Sequence, residues 1–256
     1  AADARSLLRA AHKVVNGRLR FNERYYLHPT DQGFKEMEVS RQGRCEDLTN
    51  MQTYAARSLA IPTAADYTPA WAHRDNNHAW SVLLDRDGRG RSKGNAHAAK
   101  VYRKTFSIQR ESLPYLLPEG REAPNRFLQS RFARDVTDQY RDTSDVAIQL
   151  DPTVAAGEGF AYACVFNGGR WIAIDWGRVE AGEARFERLG RDVLYLPAVF
   201  RAGELDPAAA PFLLLEDAAV VQLRGGDRDT LLVATAVSPS KVSPDTHVVT
   251  PVSRLE

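Results

Sequence analysis

Apolar residues recur at helical spacing in two segments of the first half of the chain. Residues 4–15 place them every three or four positions, and residues 45–60 repeat this pattern until Pro62 ends it. Glu46 and Asp47 fall in the first turn of the second segment, where acidic side chains favour the positive end of a helix dipole. The pattern therefore predicts two amphipathic helices.

Shorter apolar runs in the same half predict two strands, at residues 64–71 and 78–84, with a turn at 85–88 after the second strand. The polar, glycine-containing stretch 85–100 is typical of a mobile loop or a weak strand near a site. Residues 111–134 contain three prolines and a glycine, which indicates a connection between two domains.

The second half of the chain has a different pattern, in which short runs of β-type residues are separated by turn residues. Residues 160–176, FAYACVF-NGG-RWIAIDW, are typical of a β-hairpin that turns at glycines. The other runs of this kind are DVAIQL, DVLYLPAVF and FLLLEDAAVVQL. Because no helical pattern interrupts these strands, we expect a β-sandwich or Greek-key module.

Composition and charge exclude some classes of protein. With 43% hydrophobic and 26% charged residues, the chain is typical of a soluble globular protein. The 34 basic and 33 acidic side chains leave a formal charge of +1, so nothing favours a general affinity for nucleic acid. Since no apolar stretch approaches the roughly 18 residues of a membrane span, we expect no transmembrane segment. The first 17 residues lack the unbroken apolar core of a secretory signal.

The chain has two cysteines, Cys45 and Cys164, too few for a zinc-type set or a disulfide framework. A single bridge between them stays open as an alternative, although the two segments differ in character. Cys164 alternates with aromatic residues on a predicted strand, so we interpret it as a core residue. We find no motif that requires a metal or an organic cofactor, and no calcium-binding loop.

Cys45 begins a predicted helix directly after Gly43 and Arg44. A helix N-terminus stabilises a thiolate and offers free backbone N–H groups, which could also hold the oxyanion of a tetrahedral intermediate. The alternative is that Cys45 is a small buried hydrophobic residue.

His78 stands shortly after Cys45, at the start of a predicted strand. Strand alternation places it on one face with Trp80 and Val82. A thiol and an imidazole from different elements form the layout of a nucleophile and its base. A structural role for His78 is the alternative, and His73 and His97 are competing histidines in loop-like segments.

A third group normally fixes the tautomer of a catalytic imidazole. If residues 85–88 close a hairpin, the position opposite His78 is about 96, which makes Asn95 the nearest orienting side chain. Asp75, from the preceding loop, is a second candidate, whereas Asp85 lies seven residues along the strand from His78.

Residues 35–108 resemble the core of the transglutaminase-like superfamily. The motifs are Gly-x-Cys-x-Asp opening a helix, an Arg-x-x-Gly-Ile-Pro-like helix end, in which Ala60 replaces the usual glycine, and His-Ala-Trp on a strand. In this chain they comprise Gly43, Cys45, Asp47, Arg57, Ile61, Pro62, His78, Ala79 and Trp80. The match is closest to bacterial, Bacteroidetes-type members with a β-domain after the core, which the KVYRKTFS segment at 100–107 also fits.

The resemblance implies an α+β protein with a papain-like, transglutaminase-like domain at residues 1–134 and an all-β, sandwich-like domain at 135–256. It implies Cys45 as nucleophile and His78 as base. The family normally has an aspartate on the strand after the histidine, so either Asn95 substitutes for it here or the site is impaired. No acidic residue occurs between Asp87 and Glu111, which is a departure from the family pattern.

The implied function is thiol-dependent acyl transfer on a peptide or protein amide, with hydrolysis expected rather than protein cross-linking. The resemblance also implies a periplasmic or extracellular location, and cell-envelope material as a further substrate class. The alternative is a catalytically impaired scaffold that binds a glycan or a protein partner. No nucleic-acid partner is expected.

Overall fold

The structure, a computed structural model, describes residues 3–223 of the chain. Its helices are α1 (Ala4–Arg18), α2 (Phe34–Ser40), α3 (Cys45–Ser58), α4 (Leu113–Leu116) and α5 (Pro152–Ala155). Its strands are β1 (Arg20–Phe21), β2 (Gln42–Gly43), β3 (Thr63–Thr68), β4 (His78–Leu83), β5 (Tyr102–Lys104), β6 (Ala133–Asp135), β7 (Thr143–Gln149), β8 (Phe160–Asn167), β9 (Arg170–Glu180), β10 (Glu183–Gly190), β11 (Val193–Arg201), β12 (Glu204–Pro207), β13 (Phe212–Leu214) and β14 (Val220–Gln222). The helices longer than four residues, α1 to α3, all precede β3, and the longer strands follow, which agrees with the α+β class.

The two helices predicted from apolar spacing are confirmed as α1 and α3. The side chain of Asp3 caps α1 by accepting a hydrogen bond from the Ser6 N–H at 2.7 Å. Helix α3 ends before Ala60, which has a positive φ of 57°, and Pro62 prevents the helix from continuing. The apolar faces of α1 and α3 pack together, so both helices are held by burial rather than by propensity alone.

A small antiparallel sheet in the order β4-β3-β5-β6 adjoins α3. Every residue of β3 is buried, because α3 packs on one face of the strand and other segments of the chain pack on the opposite face. The turn predicted at 85–88 is present, with the Gly88 N–H donating to the Asp85 carbonyl at 3.1 Å. However, the strand that follows it is β5, which pairs with β3 and not with β4. The cross-strand register that placed residue 96 opposite His78 is therefore wrong.

The strands of the second half form one curled sheet, in the order β14-β13-β11-β8-β9-β10-β7, with β12 paired to β11. Register shifts interrupt the β8–β9 and β10–β7 ladders, and such bulges bend strands and increase their twist. The β-rich character is as predicted, but residues 3–223 show a single hydrogen-bonded sheet here and not the two sheets of a sandwich.

The β8–β9 hairpin is confirmed, with Gly168 and Gly169 as its two turn residues. Both have positive φ, 58° and 80°, which a two-residue hairpin turn of this hand requires and which glycine adopts without strain. Asn167, at the end of β8, turns away from the hairpin and bonds to the loop that leads into β4.

The two sheets share a continuous core. Tyr67 and Ala79 of the small sheet belong to the same apolar cluster as Tyr162 and Cys164 of the large one. The boundary predicted between residues 134 and 135 falls inside β6, a strand of the small sheet. Residues 224–256 of the predicted second domain lie outside the described residues. None of the described helices is both long enough and apolar enough to cross a membrane.

Candidate active site around Cys45

Cys45 is the first residue of α3, and the chain before it is tightly fixed. The Asp47 carboxylate accepts hydrogen bonds from the Arg44 N–H at 2.9 Å and the Gln32 N–H at 2.7 Å. A Cβ at Gly43 would lie 2.6 Å from the Cβ of Asp47, so a larger residue would displace this carboxylate. The sequence Gly-x-Cys-x-Asp therefore encodes a helix start that holds the cysteine in place.

Arg44 anchors the same turn from inside the protein. Its side chain is fully buried and donates to the carbonyls of Tyr25 at 3.2 Å and His28 at 3.0 Å, and to the Asp31 carboxylate at 3.0 Å. Because a buried guanidinium requires partners for its donors, this residue orders residues 25–31 beside the thiol.

The Cys45 sulfur is partly buried and has two polar neighbours. The Tyr26 hydroxyl lies 3.6 Å from it, and the backbone N–H of Ala79 on β4 also interacts with it. Burial raises the pKa of the Cys45 thiol, and the hydroxyl of Tyr26 and the N–H of Ala79 oppose this effect without reversing it. The adjacent Glu46 carboxylate raises the thiol pKa further. The thiolate expected at a helix N-terminus is therefore disfavoured in this conformation.

Glu46 connects the start of α3 to the residue before His78. Its side chain is 3% exposed and accepts a hydrogen bond from the Asn77 side-chain amide. Its carboxylate also lies 3.5 Å from the guanidinium of Arg44 and 3.6 Å from that of Arg126. These contacts fix the start of β4 against the helix that carries the thiol.

The His78 ring is partly buried among aromatic side chains. Its centroid lies 5.9 Å from that of Trp71 and 5.6 Å from that of Trp80. Burial, assisted by the charge of Arg74, lowers the pKa of His78 to about 4, so the ring is neutral near pH 7. Within residues 3–223, no hydrogen bond joins this ring to the Cys45 sulfur.

Strand alternation explains why the two side chains do not meet. Ala79 packs in the cluster that includes Cys45 and Tyr67, whereas Trp80 packs with Trp71 in a separate cluster. Because successive side chains of a strand point to opposite faces, His78 shares the face of Trp80. The structure thus brings the Cys45 sulfur to the backbone of β4 beside His78, but not to the imidazole itself.

Asn95 does not make the contact with His78 that the sequence predicted. It ends a short 3-10 helix, Lys93–Asn95, and its side-chain amide donates to the Ser92 hydroxyl at 3.2 Å. No hydrogen bond between Asn95 and His78 occurs in the part of the chain described. Asn95 was predicted to orient His78 because a β4–β5 hairpin would have placed it opposite that residue, and this hairpin does not form.

The other candidates from the sequence are engaged elsewhere. Asp75 accepts a hydrogen bond from the Gly168 N–H at 2.8 Å, at the tip of the β8–β9 hairpin. The rings of His73 and His97 lie 5.7 Å apart, and His73 also contacts Trp71 edge to face. Their arrangement extends the aromatic group around Trp71 rather than reaching Cys45.

Cys164 is completely buried in the core shared by the two sheets, as predicted. Burial raises the pKa of its thiol strongly. Both cysteines are free thiols in this structure, so the alternative of a Cys45–Cys164 bridge is not realised.

Two functional candidates were missed at the sequence level. Arg74 lies in the loop before β4, where its charge influences both His78 and Cys45. Asn167 holds that loop from 91 residues away in sequence, donating to the Asn76 carbonyl at 3.1 Å. The NGG turn pattern marked Asn167 as a turn residue, but no local signal could reveal its partners.

A cavity of about 660 Å³ lies between the small and large sheets, away from this site. Its lining includes Lys100, Tyr102 and Asp175 but neither Cys45 nor His78. The chemistry suggested for the cysteine therefore does not rest on this cavity.

No family model, no curated protein and no solved structure matches this chain.

Proposed function

We propose that this protein carries out thiol-dependent acyl transfer on an amide, with Cys45 as the nucleophile. The observation that carries the proposal is the position of the Cys45 sulfur, at the N-terminus of α3 and beside the Ala79 N–H of the strand that bears His78. A helix packed on an antiparallel sheet in this way agrees with the papain-like core of the transglutaminase-like superfamily, which residues 35–108 resemble. The location proposed with it is periplasmic or extracellular.

The reaction would follow two displacement steps. The sulfur adds to the amide carbonyl carbon as the S–H proton passes to the His78 ring through bridging water, because the two side chains are not in contact. The C–N bond then breaks, and the leaving amine takes that proton. Water gives a proton to the ring and adds to the thioester carbon, after which the C–S bond breaks and Cys45 recovers its proton. Hydrolysis is proposed in preference to cross-linking.

The oxyanion of each tetrahedral intermediate requires donors near the sulfur. The Ala79 N–H and the Tyr26 hydroxyl interact with the resting thiol and are the groups available to a developing negative charge. A neutral His78 ring is the form that can accept a proton, and the lowered pKa keeps it in this form at neutral pH. Catalytic contacts in an unliganded enzyme are often longer than in the complex with substrate.

A second candidate function is a non-catalytic scaffold that binds a glycan or a protein partner. It is favoured by the raised pKa of the Cys45 thiol, by the weak basicity of a ring with a pKa of about 4, and by the separation of the two side chains. In this case Cys45 is a partly buried packing residue.

Formation and hydrolysis of an acyl-enzyme separate the two candidates. We expect p-nitrophenyl acetate to acetylate Cys45, and the resulting thioester to hydrolyse about a hundredfold more slowly in His78→Ala than in wild type, the lower end of the range for a general base. His73→Ala is the matched control, since it removes another ring that contacts Trp71. Equal thioester lifetimes in all three proteins would reject His78 as the base and favour the scaffold.

A further inference from the structure

Arg74 belongs to a loop, residues 69–77, whose backbone is fixed from the large sheet. The Asn167 side-chain amide donates to the carbonyls of Trp71 at 2.9 Å, Arg74 at 2.9 Å and Asn76 at 3.1 Å. The Asn167 side-chain oxygen accepts from the Asn76 N–H at 3.1 Å. The base of the Arg74 side chain is therefore held, although the loop has no regular secondary structure.

The guanidinium of Arg74 lies on an aromatic surface and has no anionic partner. Its central carbon is 3.9 Å from the centroid of the Trp71 ring, which is itself 2% exposed. Its Nε is buried without a hydrogen-bond partner, and no ion pair among residues 3–223 includes Arg74. The Nε of Arg44 is also without a hydrogen-bond partner, but Arg44 and Arg103 have carboxylate partners at 3.0 and 2.8 Å.

This unpaired cation is close to the proposed reacting groups. The Trp71 ring that supports it is stacked on the His78 ring, with centroids 5.9 Å apart. Burial lowers the pKa of Arg74 and the neighbouring Cys45 raises it, which places the guanidinium and the sulfur within electrostatic range of each other. A ligand that reaches the sulfur therefore comes within range of this charge.

We propose that Arg74 is a specificity residue that binds a carboxylate of the acyl donor beside Cys45. A planar guanidinium whose donors lack protein partners matches a carboxylate, which can accept two parallel hydrogen bonds. The substrate class is a peptide or amide with a carboxylate near the bond that reacts, supplied either by an acidic side chain or by a chain terminus. This inference rests on the proposed function of Cys45.

The comparison of an anionic and a neutral alkylating agent tests the subsite directly. Iodoacetate and iodoacetamide react with the same thiolate, so the ratio of their rate constants at Cys45 is independent of the thiol pKa. We expect Arg74→Gln to lower this ratio about fivefold, the factor that corresponds to an ion pair near the upper end of the exposed range. Lys13→Gln, an exposed change of equal charge on α1, should leave it unchanged.

An equal ratio in wild type and Arg74→Gln would overturn the carboxylate subsite. This outcome is distinct from failure of the proposed function, which would appear as a thioester lifetime that does not depend on His78. Arg74→Lys should restore part of the ratio, because it keeps the charge but not the planar pair of donors.

A measurement on the wild-type protein covers the case in which Arg74→Gln does not fold. Three probes are added before iodoacetamide: N-acetylglutamate α-amide, with a side-chain carboxylate only, N-acetylglutamine, with a terminal carboxylate only, and N-acetylglutaminamide, with neither. We expect one of the first two to slow the labelling of Cys45 at least threefold relative to the third at the same concentration, and the more protective one identifies the source of the carboxylate. Equal labelling with all three probes would overturn the proposal.

Discussion

Two cations lie where the small and large sheets meet, and they differ in their partners. Lys100 is fully buried, and its ammonium group is 2.7 Å from the Asp175 carboxylate and 3.0 Å from that of Asp135. Arg74 is partly exposed and has no carboxylate partner among the described residues. A charge enclosed by its own ion pairs serves the fold, whereas a fixed charge without a partner can serve a ligand.

The Lys100 cluster, which comprises Lys100, Tyr102, Asp135 and Asp175, is closed by further hydrogen bonds. The Tyr102 hydroxyl donates to Asp175 at 2.8 Å, and the Lys100 ammonium donates to the Glu187 carbonyl at 2.5 Å. Burial lowers the pKa of Lys100, but the two carboxylates more than compensate and raise it, so the charge is retained. The cluster joins residues of both sheets.

The largest expected effect comes from removing the cation of this cluster. Lys100→Met leaves the buried Asp175 carboxylate without its counter-charge, whereas Asp135 keeps its ion pair with Arg188 at 2.9 Å. We expect the change to lower the free energy of unfolding by about 3–5 kcal/mol. Urea denaturation measures the change, with the exposed Lys93→Met as control. A loss below about 1 kcal/mol would mean that the cluster is not a structural element of this kind.

A smaller loss is expected when the loop that carries Arg74 is released. Asn167→Ala leaves the carbonyls of Trp71 and Arg74 and the N–H of Asn76 without this partner, while the Asn76 carbonyl keeps the Trp71 N–H. We expect the change to lower the free energy of unfolding by about 2–3 kcal/mol. The ratio of iodoacetate to iodoacetamide labelling at Cys45 should fall with it, because the guanidinium is no longer held.

Asn16→Ala is the control for Asn167, since Asn16 makes one exposed hydrogen bond to Gln52. If Asn167→Ala reduced stability without changing the labelling ratio, the loop would support the fold but not the subsite.

Asp31 provides a pH-dependent effect of intermediate size. Burial alone would raise its pKa, but Lys104 at 2.7 Å and Arg44 at 3.0 Å lower it to about 2. A lowered folded-state pKa contributes stability above the unfolded value of about 4, and this contribution disappears as the pH falls toward 2. Because the Asp31 side chain is about one-third exposed, we expect its charge to contribute roughly 1 kcal/mol to the free energy of unfolding.

The measurement is the free energy of unfolding between about pH 5 and pH 2 in wild type and Asp31→Asn. The variant should be less stable at the upper end of this range and should converge with wild type at the lower end. Asp87→Asn, at an exposed turn, is the control. A constant difference across the range would assign the effect of Asp31 to hydrogen bonding rather than to charge.

The smallest expected effect is that of Arg74→Gln on stability. The change removes a cation–π contact but breaks no ion pair, so we expect it to lower the free energy of unfolding by no more than about 0.5–1 kcal/mol. Thermal unfolding measures it beside Lys100→Met. A loss as large as that of Lys100→Met would reveal a structural role for Arg74 and remove the contrast between the two cations.

Local patterns in the sequence predicted much of this arrangement. The helix start at Cys45, the strand at His78 and the hairpin at Gly168-Gly169 all follow from short-range signals of spacing and turn chemistry. Asn95 could not be judged in this way, because its selection depended on which strand follows β4 in the sheet. The order β4-β3-β5 is a tertiary property with no signal in residues 85–100.

The electrostatics of the site also depend on long-range contacts. A helix N-terminus alone predicts a stabilised thiolate at Cys45, but burial and Glu46 raise the pKa of the thiol. Likewise, alternation correctly put His78 and Trp80 on one face, yet the sequence does not state that α3 covers the other face. Which side of a sheet a helix covers is decided by packing.

The pH dependence of Cys45 acetylation by p-nitrophenyl acetate tests the central claim most directly. If His78 accepts the thiol proton, the wild-type rate should rise as the ring becomes neutral near pH 4 and remain level through neutral pH. In His78→Ala the rate should instead follow thiol ionisation at alkaline pH. Identical alkaline profiles in both proteins would contradict the account and identify Cys45 as a packing residue of a scaffold.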